Sequence, residues 1–181
     1  MKKLHLNTLK SGLPGLTKTA GAFLAEAAAY CLDSQGFMTG VVMKVTGDIN
    51  ENIAVFWTDI VDDQVKRTWR DNIEAVEYAA TAIGILLTLE YTDFVIAERG
   101  RQDGVADYIL TKKKNEANLL NFNTPQAHLE VTGILKEKVG NTLKGRLKIK
   151  RQKAKKHTKD GTEVLIIITE FSIPKAKIVK V

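Results

Sequence analysis

Apolar and polar positions alternate along this chain in blocks whose lengths and periods predict its elements. Residues 17–32, from Thr17 through the alanine-rich stretch to Leu32, are dense in good helix formers and stop just before Gly36, so a helix is expected there with its end signal beside it. Two runs rich in Val, Ile, Phe and Trp, residues 38–46 and 52–58, flank a polar turn around Gly47, Asp48 and Asn50, which predicts a β-hairpin. These first 60 residues read as a cover on a core that begins further along.

From Ile73 to Leu89 the chain is almost wholly apolar, with Asp71 or Asn72 placed to cap a helix and Glu74 near the capping-box position. That helix is expected to be buried. Its polar residues Glu74, Glu77, Thr81 and Thr88 fall at helical intervals along one stripe, which must meet water or a site. Three strands are expected next: Phe94–Glu98, Val105–Leu110 and Ala127–Leu135. The charged loop Arg99–Gly104 joins the first pair, and residues 111–125, lysine- and asparagine-rich with Pro125, read as a long mobile loop. Val139, Leu143 and Leu147 recur every fourth residue and predict a helix over about 138–156. Asp160-Gly161 turns the chain into Val164–Ile168, a β-branched and aliphatic run of the kind buried on both faces. Pro174 separates this from a last strand, 175–180, expected at the sheet edge. The pattern gives an α/β fold with a mixed central sheet and flanking helices: an αβββαβ core over 71–171, an N-terminal helix and hairpin over 1–60, and an edge strand in 172–181, all in one domain.

Length supports that reading, since 181 residues make one well-packed domain and are short for two. Cys31 has no partner in the chain, and the histidines at 5, 128 and 157 are not at zinc-ligand spacing with it. Intramolecular disulfides and a structural zinc are therefore excluded. No stretch reads as a membrane span of roughly 20 apolar residues, and the opening residues lack the apolar run of a signal peptide, so a cytoplasmic protein without membrane contact is expected. The glycines at 140 and 145 have the spacing of a phosphate loop, but Arg146 and Leu147 stand where Lys and Ser or Thr are required. No Gly-x-Ser-x-Gly elbow is present.

Charge changes the picture more. The net charge is +6, and residues 144–159 hold nine Lys or Arg and no acid. Such a patch suits a phosphate backbone, although a solvated basic helix face is as common. Against it stand isolated acids. Asp107 interrupts an apolar strand where Asp has poor propensity. Glu130 shares one face of its strand with His128 and Thr132, opposite Leu129 and Val131. Two carboxylates on adjacent strands, with a third from a helix end, can hold Mg²⁺ and leave room for water and a phosphate oxygen, the arrangement phosphodiester cleavage needs. Solvent-facing acids paired with lysines are the plainer alternative. His128 on a strand, Glu26 in the first helix, and Trp57 and Trp69 read as structural rather than as site members.

On these residues the chain resembles the PD-(D/E)XK, restriction-endonuclease-like, nuclease superfamily. The resemblance rests on the αβββαβ order over a little over half the chain, on Asp107 at the second core strand, and on Glu130-Val131-Thr132 at the place of the (D/E)-X-K triplet. It implies a Mg²⁺- or Mn²⁺-dependent nuclease cleaving DNA, of the sort found in bacterial phage defence or mobile elements. Asp107, Glu130 and Glu77 would be the metal ligands, with Glu74 second to Glu77, and Lys148, Lys150, Arg151 and Lys153 would hold nucleic acid. The departure is Thr132 in place of the triplet's Lys; Lys148, Arg151 or Lys153 is expected to supply that cation from the basic helix, and if none does, the site holds metal or DNA without cutting. Two other readings stay open: a non-catalytic nucleic-acid-binding or assembly subunit on the same fold, and a protein-interaction subunit. A homodimer, or a place in a larger bacterial complex, is the expected assembly.

Overall fold

In the computed structural model, residues 1–100, 106–113, 127–157 and 162–181 are described. The Arg99–Gly104 loop beyond Gly100, Val105, most of the 111–125 loop and the Asp160-Gly161 turn lie outside them. The elements run β1 (Lys2–His5), a 3-10 turn (Leu6–Ser11), α1 (Lys18–Asp33), β2 (Val41–Gly47), β3 (Glu51–Phe56), α2 (Asp63–Thr68), α3 (Asn72–Tyr91), β4 (Phe94–Arg99), β5 (Tyr108–Lys112), β6 (Ala127–Ile134), α4 (Leu143–His157), β7 (Glu163–Glu170) and β8 (Lys175–Lys180). The fold is mixed α/β: one eight-stranded sheet in the order β1-β3-β2-β8-β7-β6-β5-β4, with helices on its faces.

Among the described residues the elements from α3 onward follow as α3-β4-β5-β6-α4-β7. Helix α3 starts where Asp71 accepts hydrogen bonds from the backbone N–H of Ile73 and Glu74. It lies on one sheet face against β6 and β7, with α1 packed on it. Two glycines permit this close approach: a Cβ on Gly84 would overlap Val131 of β6, and one on Gly133 would meet the Val76 carbonyl oxygen at 2.5 Å. At 20 residues α3 is long and apolar enough to cross a membrane by composition, which corrects the sequence reading. It is instead a core helix, with 67% of its most apolar window buried in the protein.

Helix α4 covers the opposite face. Strand side chains alternate, so Leu165 and Ile167 of β7 join the main core beneath α3, while Val164, Ile166 and Ile168 form a second cluster with Leu147 and Ala154 of α4. The same alternation sends Val131 toward α3 and Glu130 and Thr132 toward α4.

Several expectations are corrected. The hairpin is no cover: β2 and β3 extend the sheet itself, and β1, unforeseen, adds an edge strand parallel to β3. The last strand is interior, because β8 pairs antiparallel with β7 and parallel with β2. Pro174 does not forbid this, since it precedes β8, and its carbonyl accepts from Lys44 N–H at 3.0 Å. Helix α4 begins at Leu143 rather than 138. Residues 138–141 form a tight turn in which Gly140 adopts φ +81° and Lys138 and Asn141 exchange backbone hydrogen bonds. Val139, counted as part of the apolar stripe, is fully exposed.

Candidate functional site

Strand β5 pairs with β6 from Tyr108↔Leu129 to Leu110↔Ala127, and beyond Leu129 no strand among the described residues pairs with β6 on that side. A notch opens there. Asp107 stands at its corner, just outside β5. Its backbone N–H donates to Leu129 O at 3.0 Å, and its Oδ2 accepts the Val131 N–H at 2.7 Å. The carboxylate thus takes the ladder bond that a continuing strand would supply. This is the local reason for an Asp in an apolar run.

Glu130, buried on the α4 side, receives a hydrogen bond from Lys150 Nζ at Oε2, and the same ammonium lies 3.8 Å from Asp107 Oδ2. Burial pushes the Glu130 carboxyl above its ordinary value; the hydrogen bond and charge of Lys150 partly offset this, the nearby Asp107 adds to the rise, and Lys153 opposes it. Alongside, Arg146 donates to Thr132 Oγ1 at 2.6 Å and to Asn141 Oδ1 at 2.8 Å. The segment that aims α4 is itself tied down. Glu137 accepts the Leu143 N–H at 2.6 Å and pairs with Lys175 at 2.6 Å, which together hold its carboxyl below the ordinary range.

Two clefts flank the acid pair and share Glu77, Asp107 and Val131 as walls. The larger, about 760 Å³, lies toward α1 and is lined by Phe23, Tyr78, Tyr108, Thr17, Thr81 and Arg99 among others. The smaller, about 470 Å³, carries Lys136, Lys138, Arg146 and Lys150. Both fall in the size range of small-ligand sites.

The expected residues are therefore brought together only in part. Asp107 and Glu130 meet. Glu77 borders both clefts but is exposed, and among the described residues no three His, Cys, Asp or Glu side chains form a group able to hold a metal, so the three-carboxylate cluster reduces to two. Glu74 is exposed at the start of α3. Thr132 Oγ1 accepts from Arg146. Lys148, Arg151 and Lys153 are exposed on α4, whereas Lys150 turns inward to the acids. His128 is half-buried, with Nδ1 enclosed and without a hydrogen-bond partner among the described residues. Glu26 accepts from Trp69 Nε1 at 2.9 Å, and Trp57 and Trp69 are buried.

Sequence reasoning missed Lys150 as the inward cation, Arg146, and the aromatic wall of the larger cleft. For Lys150 a signal existed: Leu143, Leu147, Lys150 and Ala154 are spaced four, three and four apart, one face of a helix. Comparison of the chain with protein-family models, with curated proteins and with solved structures gives no match.

Proposed function

We propose that the protein is a divalent-cation-dependent phosphodiesterase acting on DNA, with Asp107, Glu130 and Lys150 as its reactive centre and α4 as its phosphate-binding surface. The observation that carries this reading is the convergence of two carboxylates from β6 and its neighbouring loop on one ammonium from the basic helix, at the open side of β6. Carboxylates, lysine and basic cleft are the parts such a reaction uses, and the resemblance to PD-(D/E)XK nucleases supports it through Asp107 and Glu130 in sequence.

The donor set suits the cation. Two carboxylates sharing one positive charge fit Mg²⁺ or Mn²⁺, which is commonly held by one or two carboxylates with water and substrate phosphate completing the shell. Asp107 and Glu130 would hold it, and when bound it supplies Lewis acidity and a more acidic water. Lys150, with three donors on a flexible stem, binds a non-bridging phosphate oxygen and offsets the charge that develops there. Glu130 Oε2 accepts the hydrogen bond of Lys150 and so aims its ammonium at that phosphate. Arg146, fixed by Thr132 and Asn141, grips the neighbouring phosphate in the basic cleft. Exposed Lys148, Arg151 and Lys153 hold the strand by charge.

The test is incubation of the folded protein with plasmid and single-stranded DNA in Mg²⁺, Mn²⁺ or EDTA, beside Glu130→Gln and Lys150→Met. Metal-dependent cleavage lost in both variants, with DNA binding kept, is the expected result. A second reading has its own observation: Asp107 already satisfies the Val131 N–H and Lys150 contacts both acids, a closed network that suits a non-catalytic nucleic-acid-binding subunit. Absence of cleavage by well-folded protein in every condition, with salt-sensitive DNA binding intact, selects that reading.

A further inference from the structure

Away from Glu77, Asp107 and Glu130, the larger cleft has an aromatic wall. Phe23 projects from α1 with 43% of its surface exposed, although its ring rests 4.6 Å from Trp69 and 4.9 Å edge-on from Tyr78. An exposed apolar ring whose plane is fixed from behind, inside a cleft, marks a binding surface rather than a core contact. Polar groups with spare capacity stand in the same cleft. Thr17 Oγ1 accepts from Ala20 N–H and still has its own proton to donate; Thr81 Oγ1 donates to Glu77 O and still has lone pairs to accept. Arg99 adds a cation.

We infer that this cleft is a nucleobase subsite: one unpaired nucleotide places its base against Phe23, its edge toward Thr17 and Thr81, and its phosphate at Lys150 beside the acid pair. This rests on the nucleic-acid reading above and deepens it by naming the substrate as a strand with an unpaired base beside the contacted phosphate. The two clefts meet at the acid pair, the aromatic one on one side and the basic one on the other. A strand crossing the notch therefore leaves its base in the first and its next phosphate in the second. A paired base keeps its partner strand and does not enter; a base in single-stranded DNA does so without the cost of unpairing.

Binding of the full chain is measured by fluorescence anisotropy in EDTA, which separates it from any cleavage. The probes are oligothymidylate, an abasic oligomer of the same length and charge, and a blunt duplex. Wild type is expected to bind oligothymidylate about tenfold more tightly than the abasic oligomer, the scale of one stacked base. Phe23→Ala removes that difference, Phe23→Trp keeps it, and duplex affinity is the same in all three. Equal affinity of wild type for the base-bearing and abasic oligomers overturns the inference without any substitution, so a folding defect in Phe23→Ala cannot hide the answer. A difference that survives in folded Phe23→Ala overturns it too. Selectivity for bases with no cleavage in the metal assay removes the nuclease reading and leaves the subsite standing; cleavage without base selectivity does the reverse.

Discussion

Removing the Lys150 ammonium tests how much the acid pair depends on it. Lys150→Met keeps the length of the stem and deletes the charge. The Glu130 side chain is 11% exposed and that of Lys150 20%, so the variant leaves a largely buried carboxylate beside Asp107 with only the more distant Lys153 to favour it. Breaking a fully buried pair costs about 3–5 kcal/mol, and the partial exposure of Lys150 lets water screen some of this; roughly 2–3 kcal/mol is expected near neutral pH. For a chain of this length that lowers Tm by about 5–10 °C. The pH dependence is more diagnostic than the size. Burial raises the Glu130 carboxyl in the folded state, and the two largest causes that lower it both come from Lys150, so the variant raises it further. A carboxyl whose folded pKa exceeds its unfolded value contributes stability that is complete below the unfolded value and is lost as pH rises through the folded one. The deficit of the variant against wild type should therefore be small near pH ~4.5 and grow toward pH ~8. Urea unfolding of both proteins across that range measures it. The double variant Glu130→Gln/Lys150→Met, which has no buried charge at this position, should recover most of the loss at high pH. A deficit that does not change with pH, or a double variant no more stable than the single one, refutes this electrostatic account of the site.

Glu170 is 1% exposed and accepts from Ser172 N–H (3.0 Å), Ile173 N–H (2.9 Å) and the Ser172 hydroxyl, so Glu170→Ala should cost about 2–3 kcal/mol in urea unfolding by stranding these donors in the β7–β8 turn; an unchanged midpoint would contradict this. Neutralising the exposed face of α4 with Lys148→Gln, Arg151→Gln and Lys153→Gln should reduce the slope of log affinity for duplex DNA against log salt by up to about 2.7, read by anisotropy titrations; an unchanged slope would move the phosphate contacts elsewhere. Cys31 is fully buried and its thiol is pushed up to about 12, so a thiol reagent at neutral pH should label it only after denaturant unfolds the chain.

The elements legible in the sequence are those whose burial is written into a continuous pattern. Ala79–Thr88 of α3 and Val164–Ile168 needed no knowledge of neighbours, because a helix and a strand enclosed on all sides are apolar on nearly all sides. Four-residue β1, three of whose residues are exposed and two of them lysines, carries no such mark, and neither does the two-turn α2, in which no residue is buried. Pairing was the least legible. Alternation assigns faces to a strand but does not name the strand beside it, and the contact that makes β8 interior joins Lys44 to Lys175 across most of the chain. The start of β5 was misplaced by three residues for a related reason. Asp107 looked like a strand residue with poor propensity, whereas its side chain replaces a strand by hydrogen-bonding Val131 N–H itself.

The candidate site was half legible because a helix and a strand had to be brought into register before its cation could be named. Arg146 meets Thr132 and Lys150 meets Glu130, so α4 runs antiparallel to β6 with four helical residues matched to two strand residues. The lengths agree: four residues of α-helix rise about 6 Å and two of β-strand about 6.6 Å. Only side chains at that interval on the inward face can reach the strand, and the next one, Ala154, is short and packed in the apolar cluster with Val164 and Ile166. Of the nine cations between 144 and 159, the register thus selects Arg146 and Lys150 for the sheet. What fixes it is the turn before α4, where Glu137 caps Leu143 and Gly140 reverses the chain, a local structure that the extended stripe from Val139 concealed. Two residues along β6 from Glu130, the Thr132 hydroxyl holds the guanidinium of Arg146, and the ammonium at Glu130 arrives from the helix above.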